Sequence, residues 1–299
     1  MITVFTPTYN RAYILGRLYQ SLKQQDCFDF EWLVINDGST DDTDALFQQW
    51  MQEKNAFIIR YYRVANGGKQ RAINKALELA KGEYFFIVDS DDLLRSNAIS
   101  FIKKGFQTLS KSGNFIGIST VKGDLKGNPI RYEPLIDKTK GYIDLNNLQR
   151  AQYNLQADMA EVFFTAKLRF YKFPVWSGEK FTPEAVVWDQ LALDGYKIRW
   201  YNQIIYLCEY QADGLTNSSW NLLRRNPMGY AMLFNTQLKY VSGIKNRVNL
   251  VLQFLSCCCI AKQYKYICKC NTGFSKYLLF PLGWLLSLRR KLQFKKYCK

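Results

Sequence analysis

The chain has 299 residues, 48% of them hydrophobic and 16% aromatic, which is enough for one large domain with an appendage or for two domains, and too apolar for a disordered chain. It contains no histidine, which excludes histidine triads, histidine general bases and HExxH zinc sites; acid–base chemistry falls to carboxylates, or less readily to Lys, Tyr or Cys. The net charge of +16 is one-sided: fifteen of the 41 basic residues lie from Arg224 onward, no Asp or Glu follows Asp213, and the rest is nearly neutral, so the tail points to an anionic surface, membrane or nucleic acid.

The chain opens on the strand-like Ile2–Thr6, and no signal peptide is expected. Arg11–Gln24 places Ile14, Leu15, Leu18 and Leu22 at helical spacing. Glu31–Asn36 is a second strand, and Ser39 or Thr40 is expected to cap a helix over Asp41–Gln52. Phe57–Tyr62 is a third strand, and Lys69–Ala80 a third helix stopped by Gly82. Tyr84–Val88 is a fourth, buried strand, Asn97–Leu109 a helix and Phe115–Val121 a further strand. This βαβαβαβ rhythm predicts an α/β fold with a mostly parallel sheet covered by helices. Beyond it, 122–143 reads as loops with short strands and Leu145–Ala166 as helix giving way to strand near Met159–Phe164. Trp176–Gly178 reads as a loop, Pro183–Asp194 as a short helix and Tyr196–Tyr210 as strand. From about Ser219 the pattern is helical, with Ile244, Val248, Val251, Leu252, Leu255 and Cys259 on one face. The eight cysteines show neither a disulfide framework nor paired CxxC spacing, which fits a reduced, cytosolic setting. No apolar run reaches the roughly 18–20 residues of a spanning helix.

Four polar clusters fall at the carboxyl ends of the first four strands. They are Thr6-Pro7-Thr8-Tyr9-Asn10-Arg11, Asn36-Asp37-Gly38-Ser39-Thr40-Asp41-Asp42-Thr43, Asn66-Gly67-Gly68-Lys69 and Asp89-Ser90-Asp91-Asp92. In open α/β sheets that edge is where ligands bind. An isolated NDGS is more often a turn and helix cap, and an isolated DSDD can be a solvated turn. Four such clusters on one edge read as a nucleotide site. Neither GxGxxG after a strand nor GxxxxGK[ST] is present, which disfavours a dinucleotide site and a P-loop. Asp37 can accept from a base N–H, and Thr8 and Tyr9 can contact base and ribose. Gly67-Gly68 admits close backbone approach, and Lys69 supplies positive charge for a diphosphate. Asp91, with Asp89 nearby, is the candidate holder of a hard divalent cation, Mg²⁺ or Mn²⁺, with diphosphate and water completing its shell.

In order and spacing these four clusters, with Ala72-Ile73-Asn74 and Gly82-Glu83-Tyr84, resemble the GT-A glycosyltransferases of family 2. The likeness is strong over residues 1–95 and looser to about 210. It implies a GT-A fold and an inverting transfer of a sugar from a nucleotide diphosphate sugar, with a divalent metal at the DxD-like acids. It further implies that Thr8, Tyr9 and Asp37 bind the nucleoside and that Asp89 and Asp91 meet ribose and metal. Thr6, Pro7 and Ser90 stand within the same motifs and are included in the nucleotide-sugar site, with Lys69 and Arg71 as its cations.

An inverting transferase needs a carboxylate to take the acceptor proton. The family carries it in a Glu-Asp pair that opens a helix; this chain lacks the pair. Matching Trp188 and Leu191–Tyr196 onto that helix puts Glu184 at the Asp of the pair and Pro183 at the Glu. Glu184 is therefore the expected base and Asp189 the alternative. Pro183 at the first helical position and Glu184 in the first turn also suit a helix start by themselves. The expected organisation is a GT-A domain over 1–215, with a nucleotide half (1–95) and an acceptor half (96–215), followed by a basic helical region over 216–299. Within that region Tyr277–Leu286, followed by Arg289-Arg290-Lys291, suits either an interfacial membrane segment or a packed helix with a solvated basic face. The expected partners are the donor, a saccharide or lipid-linked acceptor and an anionic membrane surface, without nucleic acid, and the expected place is the cytoplasmic face of a membrane. The rival readings are a non-catalytic nucleotide-sugar-binding protein on the same fold, and a nucleic-acid-binding protein acting through the tail.

Overall fold

The computed structural model describes residues 1–110, 112–209 and 219–297. The expected boundary at 215/216, Tyr210 of the last predicted strand region and Cys298 lie outside them. The chain divides into two compact units, Met1–Lys172 with Asp194–Gln211, and Phe173–Leu193 with Ala212–Lys299.

The first unit is built on one sheet. In chain order it contains β1 (Ile2–Thr8), α1 (Ala12–Lys23), β2 (Phe30–Asn36), α2 (Thr43–Gln52), β3 (Ile58–Arg63), α3 (Lys69–Leu79), β4 (Tyr84–Ile87), β5 (Leu93–Leu94), α4 (Ala98–Gln107), β6 (Phe115–Gly123), β7 (Tyr142–Leu145), β8 (Met159–Phe164), α5 (Thr165–Leu168) and, after a segment belonging to the second unit, β9 (Lys197–Leu207). Every residue of β2 is buried, as expected of a strand covered by helices on both faces. Helix α1 buries Ile14, Leu15, Leu18 and Leu22, the stripe its spacing predicts. Tyr19 of α1 stacks on Trp32 and Trp50, and Trp32 packs on Phe47, so aromatic surface joins α1 and α2 to β2.

Strand order is β3-β2-β1-β4-β8-β6-β9-β5, with β7 also paired to β9. The pairs β3–β2, β2–β1 and β1–β4 are parallel, as the rhythm predicts. The second half is mixed: β8 inserts between β4 and β6 and is antiparallel to both. The helix expected from Leu145 is only a 3₁₀ segment over Asn147–Tyr153, while the strand expected near Met159–Phe164 forms as β8. Met159-Ala160-Glu161-Val162-Phe163-Phe164 finds a two-sided slot in the sheet, between β4 and β6. The caps also differ from expectation. Helix α2 starts at Thr43, and Asp41 accepts from the Thr43 amide and hydroxyl; Ser39 and Thr40 instead bond Asn10.

Glu31 is the buried charge that closes the far end of the first strands. Its Oε1 accepts from Thr3 Oγ1 at 2.6 Å and from the Lys81 amide at 2.7 Å, and its Oε2 accepts from Arg60 at 2.8 Å. Burial pulls its pKa upward, but these bonds outweigh it and the net shift is downward. A carboxyl depressed in the fold stabilises above its unfolded pKa and loses that contribution as pH falls through the folded value. Glu31→Gln is expected to cost about 3 kcal/mol at neutral pH, because it leaves Arg60 under-compensated. Urea unfolding of both proteins checks this, and the difference should shrink as the pH is lowered through the carboxylate range.

The second unit is helical: α6 (Ala185–Leu193), α7 (Ser219–Arg225), α8 (Pro227–Gln237), α9 (Ile244–Ile260), α10 (Ser275–Leu278) and α11 (Phe280–Tyr297). Its core includes Met228, Leu238, Phe254, Leu255, Cys257 and Cys258. Burial pushes the Cys257 thiol up to about 12, so it acts as a small apolar group. Residues 173–193, which the sequence assigns to the first domain, cluster with these helices. The cause is polar: Glu179 accepts from the Met228 and Gly229 amides at the start of α8, and Asn226 Oδ1 accepts from the Lys180 amide. Among the described residues no helix is long and apolar enough to cross a membrane.

Candidate active site

Parallel pairing puts the carboxyl ends of β1 to β4 on one edge: Thr8 lies beside Asn36, Asn36 beside Arg63, and Phe5 beside Ile87. The four polar clusters follow those ends, and hydrogen bonds tie each to the next. The Asn10 amide donates to Ser39 Oγ at 2.9 Å, and Asn10 Oδ1 accepts from the Thr40 amide at 2.8 Å. Asn10 has φ 52°, a left-handed conformation that asparagine tolerates. Asp37 is buried, and its two carboxylate oxygens accept from the Gly67 and Gly68 amides, each at 2.7 Å. Gly68 has φ 92° and stands immediately before α3, so the loop needs its missing Cβ. Lys69, the first residue of α3, reaches Asp89 Oδ1 at 2.7 Å.

Each predicted residue can now be placed. The Thr6 hydroxyl is fully buried and accepts from Trp32 Nε1 at 3.0 Å, so this side chain is a core group that does not reach the loops. Pro7 pairs with Ile35 within the sheet. Thr8 Oγ1 is buried without a hydrogen-bond partner, and Tyr9 is exposed beside it in sequence. Asp37 clamps the glycine loop through both carboxylate oxygens. Arg71 donates to the Gly67 carbonyl at 2.6 Å. Ser90 is buried in the acid turn, which closes with the Asp92 amide on the Asp89 carbonyl at 3.2 Å.

The acid turn has two supports that the sequence reading missed. Tyr206 of β9, fully buried, accepts from the Asp89 amide at 3.0 Å and donates to Asp92 Oδ2 at 2.6 Å. Lys122 of β6 lies 4.2 Å from the Tyr206 ring centroid and 4.0 Å from Asp92. Burial opposes the Lys122 charge, but Asp89 and Asp92 outweigh it and hold the ammonium protonated. Burial raises the Asp92 carboxyl to about 7, against the pull of Lys122. Burial, then the Asp89 charge, raises Asp91. Burial opposes the Asp89 charge, but Lys69 and Lys122 outweigh it and hold that carboxyl below its usual range, and Asp89 and Asp91 offer hard oxygen donors. That donor set fits a divalent cation bound by two carboxylates together with phosphate oxygens. Tyr206→Phe keeps the ring but removes both bonds to the turn. It is expected to cost about 1–3 kcal/mol in urea unfolding, because the Asp89 amide and the Asp92 carboxyl lose a partner.

The two base candidates lie in the helical unit. Glu184, half-buried, immediately precedes α6, and its carbonyl accepts from the Val187 and Trp188 amides at 2.9 and 3.1 Å. The helix begins two positions later than the Pro183 start its sequence suggests, so Glu184 stands just before it and not in its first turn. Asp189 is buried and accepts from Tyr240 Oη at 2.9 Å, a bond internal to the unit.

Comparison with known proteins bears on the fold and the family of the chain. Over 102 residues the chain is 32% identical to the GalNAc(5)-diNAcBac-PP-undecaprenol β-1,3-glucosyltransferase of Campylobacter jejuni, covering 33% of this chain and 32% of that one. The chain spans about a third or less of the length of the curated relatives it matches. The structure of residues 1–349 of S. aureus TarS with UDP-GlcNAc superposes with a TM-score of 0.63 at 16% identity, over 94% of this chain and 79% of that one. The mannosyltransferase PcManGT of Pyrobaculum calidifontis with GDP-Man and Mn²⁺ superposes with a TM-score of 0.55 at 16% identity, over 99% and 84%. The fold is thus that of the GT-A glycosyltransferases. The model of the glycosyl transferase family 2 matches residues 3–173, more than half of the chain and all four polar loops, and the chain belongs to that family.

Proposed function

We propose that this chain transfers one sugar, with inversion, from a nucleotide diphosphate sugar to a saccharide or lipid-linked acceptor in the assembly of a surface polysaccharide or glycolipid. The observation that carries the reading is the hydrogen-bonded succession of loops from Asn10 through Asp37 and Gly68 to Lys69 and the acid turn. The donors bound by the TarS and PcManGT structures, UDP-GlcNAc and GDP-Man, support the substrate class. The undecaprenol-linked acceptor named for the Campylobacter relative supports a lipid-linked one.

In this reading the exposed ring of Tyr9 and the unpartnered Thr8 hydroxyl meet the nucleoside, with Asp37 at the base edge. The Gly67-Gly68 backbone lies close to the donor, and Lys69 and Arg71 offset the charge of the departing nucleoside diphosphate. A divalent cation held by Asp89 and Asp91 would supply further charge neutralisation on the diphosphate. Glu184 takes the proton of the acceptor hydroxyl as that oxygen attacks the anomeric carbon from the face opposite the diphosphate. The chain works at the cytoplasmic face of a membrane, where a lipid-carried acceptor is available.

The test is a donor panel of UDP-, dTDP- and GDP-sugars, with binding and slow hydrolysis measured with and without Mn²⁺. Metal-dependent binding of one donor with turnover supports the reading. Binding without turnover on any saccharide or lipid-linked acceptor makes the chain a nucleotide-sugar-binding protein instead. Binding indifferent to metal removes the acid turn from the mechanism.

A further inference from the structure

Helix α11 is amphipathic in the reverse sense of a soluble helix. Its inward face is largely small and polar. Gly283 packs so closely on α9 that a Cβ there would meet Leu255 Cβ at 2.5 Å. Ser287 is buried, and Arg290 is buried against α9, donating to Gln253 and to Ser256 Oγ. Phe294 is buried on that side, and Phe280 packs partly buried on the same core. The outward face carries the leucines: Leu282, Leu285, Leu288 and Leu292 are exposed, Leu292 by 67%. Leu278 of α10, 70% exposed, extends the same i, i+4, i+7 series.

At 100° per residue, Leu285, Leu288 and Leu292 fall within roughly 60° of one another. In the same projection Lys291 and Lys295 lie on one side of the leucines, while Arg289 and Lys296 fall among them, between Leu285 and Leu282 in azimuth and toward the end of the helix, all exposed. Trp284 is exposed in the same helix, nearer its start. An exposed leucine face with cations along one side and toward its C-terminal end suits a helix lying in a membrane interface, where long Lys and Arg side chains reach up to headgroup level. The charge selects the occupant. With no Asp or Glu after Asp213, this face attracts anionic headgroups and repels a second copy of itself.

We propose that the outward stripe of α10 and α11 is a docking face for an anionic lipid bilayer, lying in its interface and not crossing it. The proposal deepens, and rests on, the reading of the chain as one that works at a membrane.

The experiment is co-sedimentation of the full chain with phosphatidylcholine vesicles, with and without phosphatidylglycerol, and donor binding measured on the same preparations. Wild type is expected to sediment with the anionic vesicles and only weakly with the neutral ones, and added salt should weaken the binding. Leu285→Ser, Leu288→Ser and Leu292→Ser combined should lower it at least about tenfold, since the stripe loses most of its apolar area. Lys291→Gln, Lys295→Gln and Lys296→Gln combined should remove the preference for anionic lipid. Both sets point outward, so donor binding should be retained. A wild type that ignores anionic vesicles, or a triple-serine variant that binds them as wild type does, overturns the proposal. So does a concentration-dependent dimer, seen by analytical ultracentrifugation, that the serine variant abolishes while vesicles stay unbound; the face then belongs to a second copy. Vesicle binding without donor binding sinks the transferase reading and leaves the docking face standing.

Discussion

Asp91→Ala is expected to lower sugar transfer on the order of 10³-fold and to abolish the Mn²⁺ dependence of donor binding. Asp89 alone is a poor cation site, because its Oδ1 is already engaged by Lys69 at 2.7 Å. Stability should move the other way. The Asp91 carboxyl is raised by burial and by Asp89, so its ionised form is disfavoured in the fold. An acid with a raised folded pKa destabilises the native state above its unfolded pKa, and removing it relieves that cost at neutral pH. Asp91→Ala should therefore melt no lower than wild type without metal, and titration calorimetry with donor and Mn²⁺ should show the loss of binding. Mn²⁺-dependent affinity that survives the substitution would place the cation elsewhere. A native state that keeps such an acid gives up stability for function.

Glu184→Gln is expected to reduce transfer by roughly 10²- to 10⁴-fold while donor affinity stays within a factor of about two. The substitution is nearly isosteric and keeps the backbone carbonyl that opens α6. Asp189→Asn should behave differently. Asp189 is buried and bonded to Tyr240, and an asparagine oxygen can still accept from that hydroxyl, so the expected effect is about 1–2 kcal/mol of stability with transfer largely kept. Initial rates with saturating donor, alongside urea unfolding, separate the two roles. Transfer that dies in Asp189→Asn with the fold intact, and persists in Glu184→Gln, exchanges the assignments.

Much of the first unit was legible in the chain. The strands of Ile2, Trp32, Ile59 and Phe86 carry compact apolar runs between helical stripes, and parallel strands joined by helices must deliver their carboxyl ends to one edge. That is why four separate polar clusters could be read as one site before any contact was known. Less was legible where a side chain answers to a distant partner. Thr6 stands in the first motif, yet its hydroxyl belongs to Trp32; Asp37 looks like a base reader, and both its oxygens hold the glycine loop. Neither assignment has a local signature, because the partners come from other strands and loops.

By itself the sequence determined which polar residues follow the first four strands, the order of those loops and the basic character of the tail, since each is a property of residues near one another along the chain. Only the tertiary structure decided what supports the acids and which way α11 faces. Lys122 and Tyr206 meet the acid turn because β6 and β9 pair in a register that sets them side by side. The leucines of α11 face outward because Gly283, Ser287 and Arg290 are the groups that fit against α9. Both outcomes turn on long-range pairing and packing, whose free energy is shared among partners far apart in the chain and so leaves no periodicity to read.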